Sequence, residues 1–101
     1  MKALHTKSAP AAIGTYSQAI EVNGFVFASG QIPIDPATGE FVEGGIKEQT
    51  RQALTNAAHI MAEAGIDLSH VVKTTVFLAD MADFAAMNEV YSTFFKEPFP
   101  A

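Results

Sequence analysis

The chain predicts an α+β fold, a sheet with two helices packed on one face, and three features carry that reading. Asn23-Gly24 lies between two apolar runs and suits a two-residue hairpin, whose type I′ turn requires positive φ at both central positions. Two later stretches, Ile46 to Ala64 and Phe84 to Phe95, repeat their apolar residues at helical spacing. Between them, Val71 to Leu78 is rich in β-branched residues and reads as a strand. A right-handed crossover through the first helix would make that strand part of a parallel or mixed sheet.

Taken in order, residues 17 to 22 and 25 to 30 form the hairpin. Phe25, Phe27 and Ser29 point one way and Val26, Ala28 and Gly30 the other. Both faces are then apolar, so one should meet helices and the other a neighbouring subunit. Ile34 to Gly39 contains Asp-Pro and a glycine suited to positive φ, and reads as a surface loop. In the first helix Ile46, Ala53, Leu54, Ala57, Ile60, Met61 and Ala64 form the apolar stripe, and Gly65 stands where a left-handed stop is expected. Lys47, Glu48 and Arg51 fall on its polar side as a solvated face. Lys73 and Thr75 mark the wetter side of the strand. Asp80 opens the second helix as a capping residue, with Phe84, Met87, Val90, Tyr91, Phe94 and Phe95 on its apolar side. Pro98 and Pro100 prevent the tail from continuing that helix.

With 101 residues there is room for one domain, spanning 1–101. A domain this small buries roughly two-thirds of its unfolded surface. Apolar residues make up 49% of the chain and charged residues only 17%, so oligomerisation is the economical way to cover the excess. Two helices over about three strands would also leave sheet edges unpaired, which suggests further strands. The net charge of −5, with six dispersed Lys and Arg, argues against nucleic acid as a partner. Cysteine is absent, which removes disulfides and thiolate chemistry. Neither a signal peptide nor an apolar run of membrane-spanning length is present, so a cytoplasmic protein is expected.

Candidate chemistry is sparse. His5, His59 and His70 lack the spacing that puts two ligands on one helical face, so no metal is expected. Neither Ser17 nor Ser29 sits in a nucleophile elbow, and no glycine cluster makes a phosphate loop. Ser29-Gly30, at the end of the second hairpin strand, either opens the backbone to a ligand or eases close packing or a bulge. Tyr16 either offers its phenol to a ligand or buries its ring and wets its hydroxyl. Asn88 shares a helical stripe with Phe84, Tyr91 and Phe95, and its amide either meets a structural partner or faces a cleft.

Gly14-Thr-Tyr-Ser-Gln-Ala19, Ser29-Gly-Gln-Ile-Pro33 and Met87-Asn-Glu-Val-Tyr91 together resemble the reactive intermediate deaminase family, RidA or YjgF/UK114. The resemblance runs from about Ala3 to Ala101. It implies a chorismate-mutase-like mixed sheet with two helices on one face, and a homotrimer whose sheets form a barrel-like core. Active sites in that family lie between subunits. By motif, Tyr16 and Asn88 become the catalytic candidates, and Ser29 and Gly30 the substrate-binding ones. Thr15 stands where the family usually has proline. The family also continues Pro-Ala-Arg into a strand and later supplies a glutamate, neither of which follows Ala101. The expectation is therefore a C-terminally shortened copy, weak or inactive in isolation.

The reaction implied is hydrolysis of 2-aminoacrylate or 2-aminocrotonate, through their imines, to 2-keto acids and ammonia. An imine carbon is already electrophilic, so no cofactor is expected. The alternative is a non-enzymatic trimer that binds small carboxylates or acts as a regulator. Nucleic-acid cleavage, attached to some relatives, finds no support in the acidic charge.

Overall fold

In the computed structural model, which describes residues 1–101, the chain turns back at Asn23 and Gly24 with φ of 50° and 78°. Two-residue hairpins need such a turn to match the twist of their strands. It joins β2 (Ala19–Val22) to β3 (Phe25–Ala28), and Val22 pairs with Phe25 across it. An additional strand, β1 (Lys2–Leu4), pairs antiparallel with the far side of β2, giving the order β1-β2-β3. Three residues next to the N-terminus carry too little periodicity to announce a strand, and only the edge of β2 makes them one.

Leu4, Ala19, Ala28 and Val26 share the sheet face turned towards the helices, as the register requires. On the other face Phe25 and Phe27 remain 62% and 64% exposed. The two-sided apolarity of this hairpin is therefore present in the structure, one side packed and one bare.

Residues 34 to 41 do more than loop. Ile34–Asp35 (β4) and Glu40–Phe41 (β5) form a separate two-residue ladder. Asp35 explains the tight turn, since its Oδ1 accepts the Ala37 amide and its carbonyl accepts the Gly39 amide, with Gly39 at φ 73°.

Helix α1 (Ile46–Glu63) follows, and its first turn is secured by Glu48, whose Oε2 accepts the Gly45 amide at 2.9 Å. It ends at Ala64, with Gly65 at φ 74° in the left-handed conformation that a side chain would disfavour. Ile60 and Met61 pack with Leu4, Ala9 and Ala19 into the buried core, and Val26 closes against it. After a 3-10 turn capped by Asp80, helix α2 (Phe84–Phe94) packs along α1 and buries Met87 and Val90. Lys47 and Glu89 join the two helices across solvent at 2.8 Å. No helix is long and apolar enough to cross a membrane.

The stretch Val71 to Leu78 departs from the sequence reading. It belongs to neither sheet, and both sheets are antiparallel. Its backbone partner is Ala101, which accepts the Thr74 amide and donates to the Val72 carbonyl, the pattern of a parallel pair. A strand exists only where a neighbour takes its hydrogen bonds, and here the other flank opens onto a groove. The remaining elements give an α+β chain with two helices and antiparallel sheets.

Candidate functional site

The loop from His5 to Ser17 brings Tyr16 to the end of β3, and Gln18 holds it there. The buried Gln18 side chain accepts the Thr6 amide at 2.7 Å and donates to the carbonyls of Thr6 and Pro10 at 3.0 and 2.8 Å. Its own carbonyl accepts the Ser29 amide, while Ser29 Oγ donates to the Ser17 carbonyl at 2.7 Å. One residue thus fastens the loop to the strand end. A second clamp is Asn56 on α1, fully buried, whose Nδ2 donates to the carbonyls of Ile32 and Ile34 at 3.2 and 2.9 Å. Gln52 donates to its Oδ1 at 2.8 Å. These clamps fix both ends of Ser29-Gly-Gln-Ile-Pro33.

Beside that segment runs a groove of about 800 Å³. One wall is Phe25 to Pro33, the other Val72 to Leu78, and the floor comes from α1 with Met87 and Tyr91 of α2. Tyr91 and Thr74 share a hydroxyl–hydroxyl hydrogen bond of 2.7 Å that ties α2 to the far wall. Lys73 is the single cation of the lining, and no carboxylate or imidazole joins it. The groove can therefore hold an anion-bearing, partly apolar ligand and offer hydroxyls and backbone groups to orient it.

Ser29 and Gly30, the substrate-binding candidates, lie in the groove wall. A Cβ built on Gly30 would meet nothing within 4 Å, so no packing inside this chain requires glycine there. Of the two readings of Gly30, close packing finds no counterpart in this chain. Tyr16 lies outside the lining, 51% exposed, with its ring edge against Gly14 and no hydrogen bond to its phenol. Asn88 is likewise outside the groove, exposed on α2 and without a side-chain partner. One chain thus brings Ser29 and Gly30 together and leaves Tyr16 and Asn88 on open surface.

Gln18 and Asn56 were not singled out by sequence reasoning, nor were Thr74 and Tyr91 as a polar pair. An asparagine or glutamine among apolar neighbours was the available signal, because a buried amide must be satisfied. Their partners, 24 and 12 residues away, are invisible to local periodicity.

Charge is tuned on the rim rather than in the groove. Hydrogen bonds from the backbone amides of Glu48 itself and Gly45 hold the Glu48 carboxyl below its ordinary range. The hydroxyl of Ser69, then its amide, does the same for Asp67. The Lys47 ammonium lowers Glu89 by hydrogen bond and then by charge. His59 Nδ1 lies 2.7 Å from the Ser8 carbonyl and His70 beside Asp67, and no three metal-ligating side chains converge.

Comparison with known proteins places this geometry. Residues 6–101 match the family model described as Endoribonuclease L-PSP. The 2-iminobutanoate/2-iminopropanoate deaminase of Mus musculus is 50% identical over 100 residues, spanning 99% of this chain and 74% of its own. RidA from an Antarctic Psychrobacter superposes with a TM-score of 0.95 at 46% identity, covering 100% of this chain and 81% of that one. E. coli TdcF with bound serine superposes at 0.90 with 43% identity, over 94% of this chain and 74% of that one. Matched over residues 6–101 and superposing over almost its whole length on these structures, the chain belongs to the Endoribonuclease L-PSP family, in which the RidA/YjgF proteins fall.

Proposed function

We propose that the chain is a deaminase that hydrolyses 2-imino acids, formed from 2-aminoacrylate or 2-aminocrotonate, to 2-keto acids and ammonia. The observation that carries the reading is the Ser29-Gly30 strand end, open to a ligand and lining a groove with one cation, in a chain half identical to a mammalian deaminase. The serine bound to TdcF indicates that a small amino-acid carboxylate suits a relative at 43% identity.

The enamine first takes a proton on C3, the carbon double-bonded to C2, to become the imine. Water then forms a C–O bond at C2, and a proton moves to nitrogen. Collapse of the carbinolamine breaks the C–N bond, releases ammonia and leaves the keto acid. Catalysis on this route is largely positioning of water and imine. In this reading the backbone at Ser29 and Gly30 orients the substrate, Lys73 attracts its carboxylate, and Tyr16 and Asn88 hold water or the leaving nitrogen. The last two reach the reaction when a neighbouring copy brings its groove against them, which makes a homotrimer, with its site between subunits, the assembly that fits.

The test is ammonia release from freshly generated 2-aminoacrylate. Tyr16→Phe and Asn88→Ala should each lower kcat by about tenfold or more, the size of a hydrogen bond to a charged or reacting group. Lys73→Ala should raise KM about two- to fivefold, as expected for an exposed charge contact. Binding of serine or a keto acid without any turnover would instead favour a small-carboxylate-binding protein, the reading that the bound serine of TdcF supports.

A further inference from the structure

We propose that Asn23 is a self-modification site: the Gly24 backbone nitrogen attacks its side-chain amide, water completes the conversion, and the isoaspartyl product loosens the β2–β3 hairpin. This chemistry is independent of imine hydrolysis and turns on which asparagine has a free nucleophile beside it. The sequence holds Asn23, Asn56 and Asn88. Ring closure on such a side chain needs a following amide free of hydrogen bonds, little bulk on that residue, and room for the side chain to swing over. Asn56 is fully buried with both ends of its amide engaged, and the Ala57 amide lies inside α1. Asn88 precedes Glu89, whose amide lies inside α2 and whose side chain crowds the approach. Neither can close the ring without unwinding a helix.

Asn23 meets every condition. It and Gly24 are exposed, and even a Cβ placed on Gly24 would meet nothing within 4 Å. Val22 pairs with Phe25 across the turn, while the Gly24 amide donates to no other backbone group. The tip can thus open locally while the ladder behind it stays paired. A nucleophile held one bond from its target acts at high effective concentration.

In the reaction the Gly24 nitrogen gives its proton to solvent and bonds to Asn23 Cγ. The Cγ–Nδ2 bond breaks, and the leaving nitrogen takes up a proton and departs as ammonia. One water then opens the five-membered imide. Attack at Cγ yields aspartate; attack at the backbone carbonyl carbon yields isoaspartate, whose main chain runs through Cβ and Cγ. The sum is an amide and water giving a carboxylic acid and ammonia, with no change of oxidation state. Isoaspartate lengthens by one atom a turn that fits its strands only as a two-residue loop. The pair next to it is Val22 with Phe25, and Phe25 lies on the bare sheet face with its ring 6.4 Å from that of Phe27.

The experiment incubates the 101-residue protein in warm, mildly alkaline buffer and maps each asparagine by peptide mass, with isoaspartate read by electron-transfer fragmentation. Expected is conversion at Asn23 about tenfold or more faster than at Asn56 or Asn88, with isoaspartate among the products. In the isoaspartyl fraction the Val22 and Phe25 amides should exchange hydrogen faster than in the parent, with exchange at Ile60 unchanged. Asn23→Gln, which cannot form the five-membered ring, should stay unmodified at that position. Freshly purified Asn23→Asp carries the new charge without the longer backbone and should exchange as the parent does. Ammonia from this route stops at one per chain, which separates it from turnover. Conversion at Asn23 no faster than at Asn88, or aspartate without isoaspartate, overturns the proposal. So does an isoaspartyl form that exchanges like the parent, or an Asn23→Asp variant that exchanges as fast as the isoaspartyl form.

Discussion

Asn56 shows how much one side chain can decide. Fully buried on α1, it satisfies the carbonyls of Ile32 and Ile34 and thereby sets the course of the chain leaving Ser29-Gly30. Asn56→Ala leaves those carbonyls without their partner and should cost about 2–3 kcal/mol. The measurement is the urea midpoint, and a change within experimental error would show that the carbonyls find other partners. Of the residues named from sequence, Ser29 and Gly30 stand in the groove wall, a position a local pattern could suggest because a small pair at a strand end is visible in sequence. Gln18 and Asn56 were not legible, since their role consists of bonds to residues far along the chain. Tyr16 and Asn88 were legible by motif alone, and their exposed positions here leave their roles to the assembly proposed above.

At the level of elements, helix ends were the most readable part of the chain. Gly65, at φ 74°, stops α1 where the glycine predicted it, and Gly65→Ala should destabilise the protein by about 1–2 kcal/mol. A thermal melt checks this, with a few degrees of lowered Tm as the expected result. The join between helices has a pH signature. Lys47 holds Glu89 below its ordinary range, so the folded form binds that proton less readily than the unfolded one. Its contribution is present above the unfolded glutamate pKa and disappears as pH falls through the lower folded value. Glu89→Gln should accordingly be slightly less stable than the parent at neutral pH, and the two urea midpoints should converge below the carboxylate range. Both groups are exposed, so the effect at neutral pH will be small and will shrink with added salt. The 71–78 segment was the least readable element. Its composition is that of a strand, yet alongside it only Ala101 pairs, and the other flank is open.

For the molecule as a whole, the apolar surplus seen in composition reappears as a bare sheet face. Phe25 and Phe27 stand out to solvent, and Phe77 on the neighbouring segment is 91% exposed. An exposed apolar area of this kind marks an association surface. If copies assemble through it, as proposed for the homotrimer, Phe27→Asp should shift sedimentation from trimer towards monomer and remove activity along with assembly. A trimer that survives this charge would place the interface elsewhere.

The sequence by itself determined the hairpin, both helices with their stops, and membership of a deaminase-containing family, because turns, caps and amphipathic stripes are written within a few residues of one another. The tertiary structure alone decided that β1 joins the sheet, that β4 and β5 pair, and that the 71–78 segment stands apart from β3 across a groove. It also decided that the candidate site residues of one chain are split between that groove and open surface. The physical reason is common to all four. Strand pairing and site assembly depend on partners brought near only by folding, and the hydrogen bonds that define them have no local signature.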